Sequence, residues 1–154
     1  MEYPEPPDAN SVWYRLIRLH GTMSAALGRR LREINLSLPQ CDVLTALMER
    51  EGLNQQDLAD KLSVTKGNIS GLLDRLTKAG LVERRATEGD RRAHAIYLTR
   101  VGRKLALQGV AIQKAFVAET IGSLTPERIA QMEALLEAAG ETLKLEPEQT
   151  KPDA

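Results

Sequence analysis

At 154 residues the chain has room for about one domain, since domains run to ~100–200 residues. Its 42% apolar and 27% charged residues exclude a disordered chain, and its single cysteine excludes a disulfide framework. The formal net charge is zero, which excludes a uniformly basic protein but leaves room for a segregated one.

Apolar spacing divides the chain into helices with one short β interruption. Val12, Leu16, Leu19, Met23, Leu27, Leu31 and Ile34 recur at steps of three and four, predicting a long amphipathic helix over about 11–34. Ser37 with Gln40 forms a capping-box pattern, with Pro39 in the first turn, and opens a second helix through Val43, Leu44 and Leu47. Asn54 caps a third helix holding Leu58 and Leu62. Thr65 caps a fourth, where Ile69, Leu72, Leu73 and Leu76 make one apolar stripe closed by Gly80. Two strands, about 81–86 and 95–99, flank the hairpin tip Thr87-Glu88-Gly89-Asp90. Thr99 caps a fifth helix to about residue 121, and Thr125-Pro126-Glu127 opens a sixth that ends near residue 145. Residues 146–154 read as a tail.

Charge follows position. Residues 61–104 hold eleven basic groups against four acids, while residues 1–10 and 123–154 are net acidic. Such segregation points to a polyanion partner, with a solvated basic face as the plain alternative. Within the basic window the third and fourth helices meet at Ser63-Val64, a corner tight enough for a helix-turn-helix. The apolar stripe of the fourth helix faces inward, which leaves Lys66, Gly67, Asn68, Ser70, Gly71, Asp74, Arg75 and Lys78 on or beside its open side, with the cap Thr65 expected to face the groove as well. Each glycine costs a helix ~1 kcal/mol relative to alanine. Two on one open face make sense where something approaches the backbone, and a major groove admits such a helix. Arg84 on the first strand, with Arg91 and Arg92 past the tip, suits contact with the adjacent minor groove. Asp90 is expected to anchor Arg92, holding its guanidinium in one orientation.

Leu58-Ala59, the helix from Thr65 to Gly80, Leu81-Val82-Glu83-Arg84 and the run Asp90-Arg91-Arg92 ending in Leu98-Thr99 resemble the MarR (multiple-antibiotic-resistance regulator) family. Asp90, Arg92, Leu98 and Thr99 fit the family's wing signature, and Asp74-Arg75-Leu76 its recognition-helix triplet. The resemblance implies a mainly α, winged helix-turn-helix fold with a two-stranded β-wing and dimerisation helices at both ends. On this layout residues 1–154 form one domain, with the DNA-binding lobe at about 37–99 and dimerisation helices at 11–34 and 100–145. It further implies a homodimeric regulator, commonly a repressor, that binds pseudo-palindromic operators in double-stranded DNA. Release by a small phenolic or lipophilic effector is implied as well.

The terminal helices point to a dimer on their own. Ile129, Met132, Leu136, Ala139 and Leu143 step by three and four, which is coiled-coil spacing. The fifth helix is apolar on two faces, Leu105, Ile112 and Phe116 on one, Leu107, Val110, Val117 and Ile121 on the other. A partner subunit is the simplest second layer, with residues near Trp13 against it; an intramolecular bundle is the alternative. Trp13, Tyr14, Ile17 and His20 are candidates for an effector pocket, or else ordinary core or interface. Cys41 reads as a small buried hydrophobe. No phosphate-binding loop, nucleophile elbow, catalytic triad or metal-ligand set is legible, so neither catalysis, cofactor nor metal is expected. The acidic start Met1-Glu2-Tyr3-Pro4-Glu5 is no signal peptide and no apolar run nears the ~20 residues of a membrane span. A cytoplasmic protein without membrane contact is therefore expected. The rival reading is a winged-helix module that binds protein instead of DNA.

Overall fold

The computed structural model describes residues 6–144, with Asp90, Arg91, Arg92 and Ala93 described by their backbone alone. The expected tail at 146–154 lies outside these residues. In chain order the elements are α1 (Ala9–Arg32), α2 (Leu38–Glu49), α3 (Gln55–Leu62), α4 (Lys66–Lys78), β1 (Val82–Thr87), β2 (Asp90–Leu98), α5 (Arg100–Glu119) and α6 (Pro126–Lys144). A single 3-10 turn, Ile121–Ser123, separates the last two. This is the winged helix-turn-helix layout: six helices and one antiparallel two-stranded sheet. None of the described helices is long and apolar enough to cross a membrane.

Local chemistry sets most boundaries. Ser37 and Gln40 form the reciprocal capping box at α2, and Asn54 with Asp57 forms a second at α3. The Thr65 hydroxyl accepts from the Asn68 N–H at 3.2 Å and opens α4. Asp8 caps α1 in the same way, so the helix begins at Ala9, two residues before the expected start. That helix also stops short of Ile34: Asn35 turns left-handed (φ 58°), and the Leu36 N–H reaches back to the Leu31 carbonyl at 3.1 Å. Ser63 adopts φ 52° to make the corner between α3 and α4.

Two compact units divide within α5, after Lys114. In the first, Leu27 and Leu31 of α1 are buried, as are Leu44 and Leu47 of α2, Leu58 of α3, and Ile69, Leu73 and Leu76 of α4. Ile96 and Leu98 close this core from the wing, and α2 packs on both α3 and β2. Cys41 is buried in α2, as expected, and burial pushes its thiol pKa up against a weaker opposing pull from the Thr45 hydroxyl. Such a thiol is a poor nucleophile.

α5 joins this unit through small residues that the apolar pattern did not single out. Gly102, Ala106 and Gly109 are buried along one side of it. A β-carbon at Gly102 would meet the Leu81 carbonyl oxygen at 1.9 Å, and one at Gly109 the Cys41 sulfur at 2.7 Å. Thr99 fastens the joint, its hydroxyl donating to the Gly80 carbonyl at 2.6 Å and accepting from the Gly102 N–H at 3.0 Å. In the second unit, α6 carries no buried residue.

Candidate nucleic-acid interface

The sequence pattern places eight residues on one open side of the fourth helix, next to the cap Thr65. The structure divides that side into three lines, because residues three or four apart stack along a helix. Gly67, Gly71 and Lys78 run down its centre, and nothing lies within 4 Å of where a β-carbon would sit on either glycine. Lys66, Ser70 and Asp74 form the edge toward the wing, while Asn68 and Arg75 form the other edge. Thr65, Lys66, Asn68 and Arg75 are exposed, Ser70 and Gly71 half-buried. Thr65 gives its hydroxyl oxygen to the helix cap, whereas the Asn68 side-chain amide has no hydrogen-bond partner among the described residues.

The wing is a hairpin with an irregularity that the sequence did not reveal. Val82 pairs with Leu98, Arg84 with Ile96 and Ala86 with His94, but Thr87 then pairs with Asp90. Residues 91–93 therefore lie opposite a single step of β1, a bulge of the kind that re-aims side chains. The strand accordingly begins at Asp90 and not near 95. Leu53 bridges to the far side of β2, with Ile96 N–H to the Leu53 carbonyl at 2.9 Å, and ties the root of the wing to the corner before α3. The expected Asp90–Arg92 anchor and the Arg91 contact concern side chains outside those described.

Of the wing arginines within them, both are partnered. The Arg84 guanidinium donates to the Asp74 carboxylate of α4 at 2.8 Å. Arg85, on the opposite face of the strand, pairs with Glu83 and lies 4.0 Å over the ring of Tyr97. The hydrogen bond to Glu83 holds that guanidinium charged. The sequence pattern expected Arg84 to contact the minor groove; in the structure its guanidinium is held by Asp74 instead.

Between the start of α3, the wing-side edge of α4 and the inner face of the wing lies a cleft of about 560 Å³. Asn54, Gln55, Gln56, Lys66, Ser70, Asp74, Arg84 and His94 line it, over an apolar floor at Ile96. The sequence pattern did not nominate Asn54, Gln55, Gln56 or His94. Their place follows from the α3–α4 corner, which the sequence marks at Ser63-Val64, combined with the bulged register, which has no local signature.

Trp13, Tyr14, Ile17 and His20 are all exposed on α1, Trp13 to 58%, which corrects the reading of them as core. Val12, Leu16 and Leu19 are exposed beside them. On α6, Leu136, Ala139 and Leu143 are exposed, while Ile129 and Met132 are half-buried. Leu135 is a further exposed apolar residue there, outside the expected seam.

The sequence model of the MarR family matches residues 34–93, from the end of α1 through the wing bulge. The HTH-type transcriptional regulator YfiV of Bacillus subtilis is 38% identical over 100 residues, which are 64% of this chain and 61% of that relative. An HTH-type transcriptional repressor of Mycobacterium bovis is 30% identical over 133 residues, 86% of this chain and 96% of that one. Among solved structures, the S. aureus MepR–DNA complex superimposes with a TM-score of 0.78 at 27% identity, covering 89% of this chain and 99% of that one. Fold and family alike are those of transcription regulators. With its capped corner, its bare α4 face, its bulged wing and these relatives, the chain belongs to the MarR family of HTH-type, DNA-binding transcriptional regulators.

Proposed function

We propose that the chain is a repressor that binds a two-fold symmetric operator as a homodimer, α4 entering the major groove and the wing the adjacent minor groove. The bare face of α4 carries this reading: two glycines leave its centre open, and Lys66 and Asn68 flank it in the first turn. A helix start of this kind reaches base edges, with basic residues nearby for phosphates. The repressor among the relatives and MepR's capture with DNA support the same reading. Residues 37–99 act as the reading lobe, and 11–34 with 100–145 as the dimerising ends of one domain. Thr65, Lys66, Ser70 and Arg75 frame the groove contact, while Arg91 and Arg92 extend it through the wing, steadied by Asp90. Chromosomal DNA as ligand makes the cytoplasm its place of action, and it works by binding, not catalysis. The exposed Trp13, Tyr14, Ile17 and His20 supply one wall of a pocket for a lipophilic or phenolic effector, completed by the partner copy. An effector seated there alters lobe separation and so releases DNA.

Selection of bound sequences from random duplex DNA tests the reading, with a two-fold symmetric consensus as the expected result. Asn68→Ala should then relax preference at one position per half-site, since an Asn–adenine pair discriminates by ~1–3 kcal/mol. Binding to random duplex should stay nearly unchanged; an unaltered consensus removes Asn68 from base readout.

Gly71→Ala separates function from stability by sign. Its β-carbon enters open space, so helix propensity favours the variant by up to ~1 kcal/mol. The melting temperature should rise by about 2–4 °C. Operator affinity should nevertheless fall, about tenfold or more, because the methyl group holds the helix off the base edges. A stabilised variant with wild-type affinity would show that nothing approaches the glycine face.

A further inference from the structure

Asp74 is an oddity on a helix that faces a polyanion. It lies beside the line of Gly67, Gly71 and Lys78, and charge alone makes it a liability for DNA binding. Its carboxylate, however, holds Arg84 at 2.8 Å, across ten residues of chain that include the turn into β1. Among the described residues this is the one side-chain hydrogen bond between α4 and the wing. Past Val82 no residue of β1 is buried, so little packing steadies that strand beyond its root. Arg84 itself pairs across the sheet with the buried Ile96, and its side chain is only 29% exposed. It is placed as a strut, with its stem over an apolar floor and its head on α4.

On the regulatory reading above, we propose that Asp74 is a positioning residue. By holding Arg84 it fixes the wing against the recognition helix, so that both enter their grooves in one setting, and Arg84 braces the wing without touching DNA. An exposed ion pair of this kind biases an equilibrium by about two- to fivefold. A dimer has two such pairs acting on one operator, so the losses multiply to roughly four- to twenty-five-fold.

A double-mutant cycle on the full chain tests this, using Asp74→Asn, Arg84→Met (which keeps the stem over Ile96) and the pair. Each is titrated with the selected operator and with random duplex across a salt series, and melted thermally. Asp74→Asn is expected to weaken operator binding by roughly four- to twenty-five-fold although it removes a negative charge. Random-duplex binding should hold or tighten, and the melting temperature should stay within about 2 °C, which a merely structural role does not predict. Arg84→Met should lose a similar factor with little change in salt slope, and the pair should be no worse than either single variant. Asp74→Glu, which keeps the carboxylate, should retain most of the affinity. Tighter operator binding by Asp74→Asn overturns the proposal. So do additive losses with a salt slope lowered by about one phosphate contact in Arg84→Met, which would make Arg84 a DNA contact. Wild-type protein that binds no duplex overturns the regulatory reading as well, whereas wild-type binding with an additive cycle overturns the strut alone.

Discussion

Gly102→Ala is expected to lower the melting temperature by roughly 4–8 °C, although alanine is the better helix former. The added β-carbon would lie 1.9 Å from the Leu81 carbonyl oxygen and 2.8 Å from its carbon. Those are backbone atoms and cannot rotate away. The same carbonyl accepts the Thr99 N–H at 3.1 Å, so moving it also breaks the joint that starts α5. Overpacking of this sort costs ~1–3 kcal/mol and sometimes more, against a propensity gain of at most ~1 kcal/mol. The clash wins, and at about 2–4 °C per kcal/mol for a chain of this size the loss is easy to measure. Gly21→Ala, in the open interior of α1, is the control and should raise the melting temperature slightly. Scanning calorimetry of the two variants decides it: if both are stabilised, α5 does not press on Leu81 as described.

That joint also shows why some of the molecule was readable and some was not. Ser37, Asn54, Thr65 and Gly80 act on backbone groups within a turn of themselves, so their roles follow from spacing alone. The inward stripe Ile69, Leu72, Leu73 and Leu76 was equally legible, because a 3.6-residue period leaves it only one face to occupy. Gly102 and Gly109 carry no such signal: a glycine needed for close approach looks like any other until its neighbour is known. The Asp74–Arg84 pair, the His94 position and the Leu53–Ile96 bridge depend on strand register, which a three-residue bulge resets. In α1, periodicity identified an apolar face correctly but not what it meets. Leu27 and Leu31 of that face are buried in the lobe, whereas Val12, Leu16 and Leu19 remain exposed. One stripe thus has two environments along its length, and sequence spacing is the same for both.

The exposed part of that stripe leads to the other large effect, the loss of operator binding on charging α6. Leu136 is 52% and Leu143 68% exposed, and no residue of α6 is buried. With the six exposed apolar residues of α1 between Val12 and Leu19, the chain leaves two apolar surfaces for a second copy to cover. Fully burying one large apolar side chain is worth ~1.5–3 kcal/mol, so several together exceed the ~4–15 kcal/mol that association costs. In a two-fold dimer every substitution is present twice. Leu136→Glu therefore removes two apolar contacts and brings two unpaired carboxylates into one interface, a loss of at least ~6 kcal/mol, or about 10⁴-fold in dimer affinity. Leu136 is the better probe because Met132 is already half-buried, so Met132→Lys also risks the fold of α6 itself. The variant should melt cooperatively but sediment as a monomer. Its DNA affinity should drop to near the nonspecific level, because one lobe buries only ~600–1,000 Å² and two lobes ~34 Å apart are what make the second half-site contact effectively intramolecular. The substituted residue is no part of the α4–wing surface, so the loss must act through lobe spacing. A well-folded monomer that still binds the full operator with wild-type affinity would remove dimer geometry from the mechanism, and with it the route by which an effector seated beside Trp13 could release DNA.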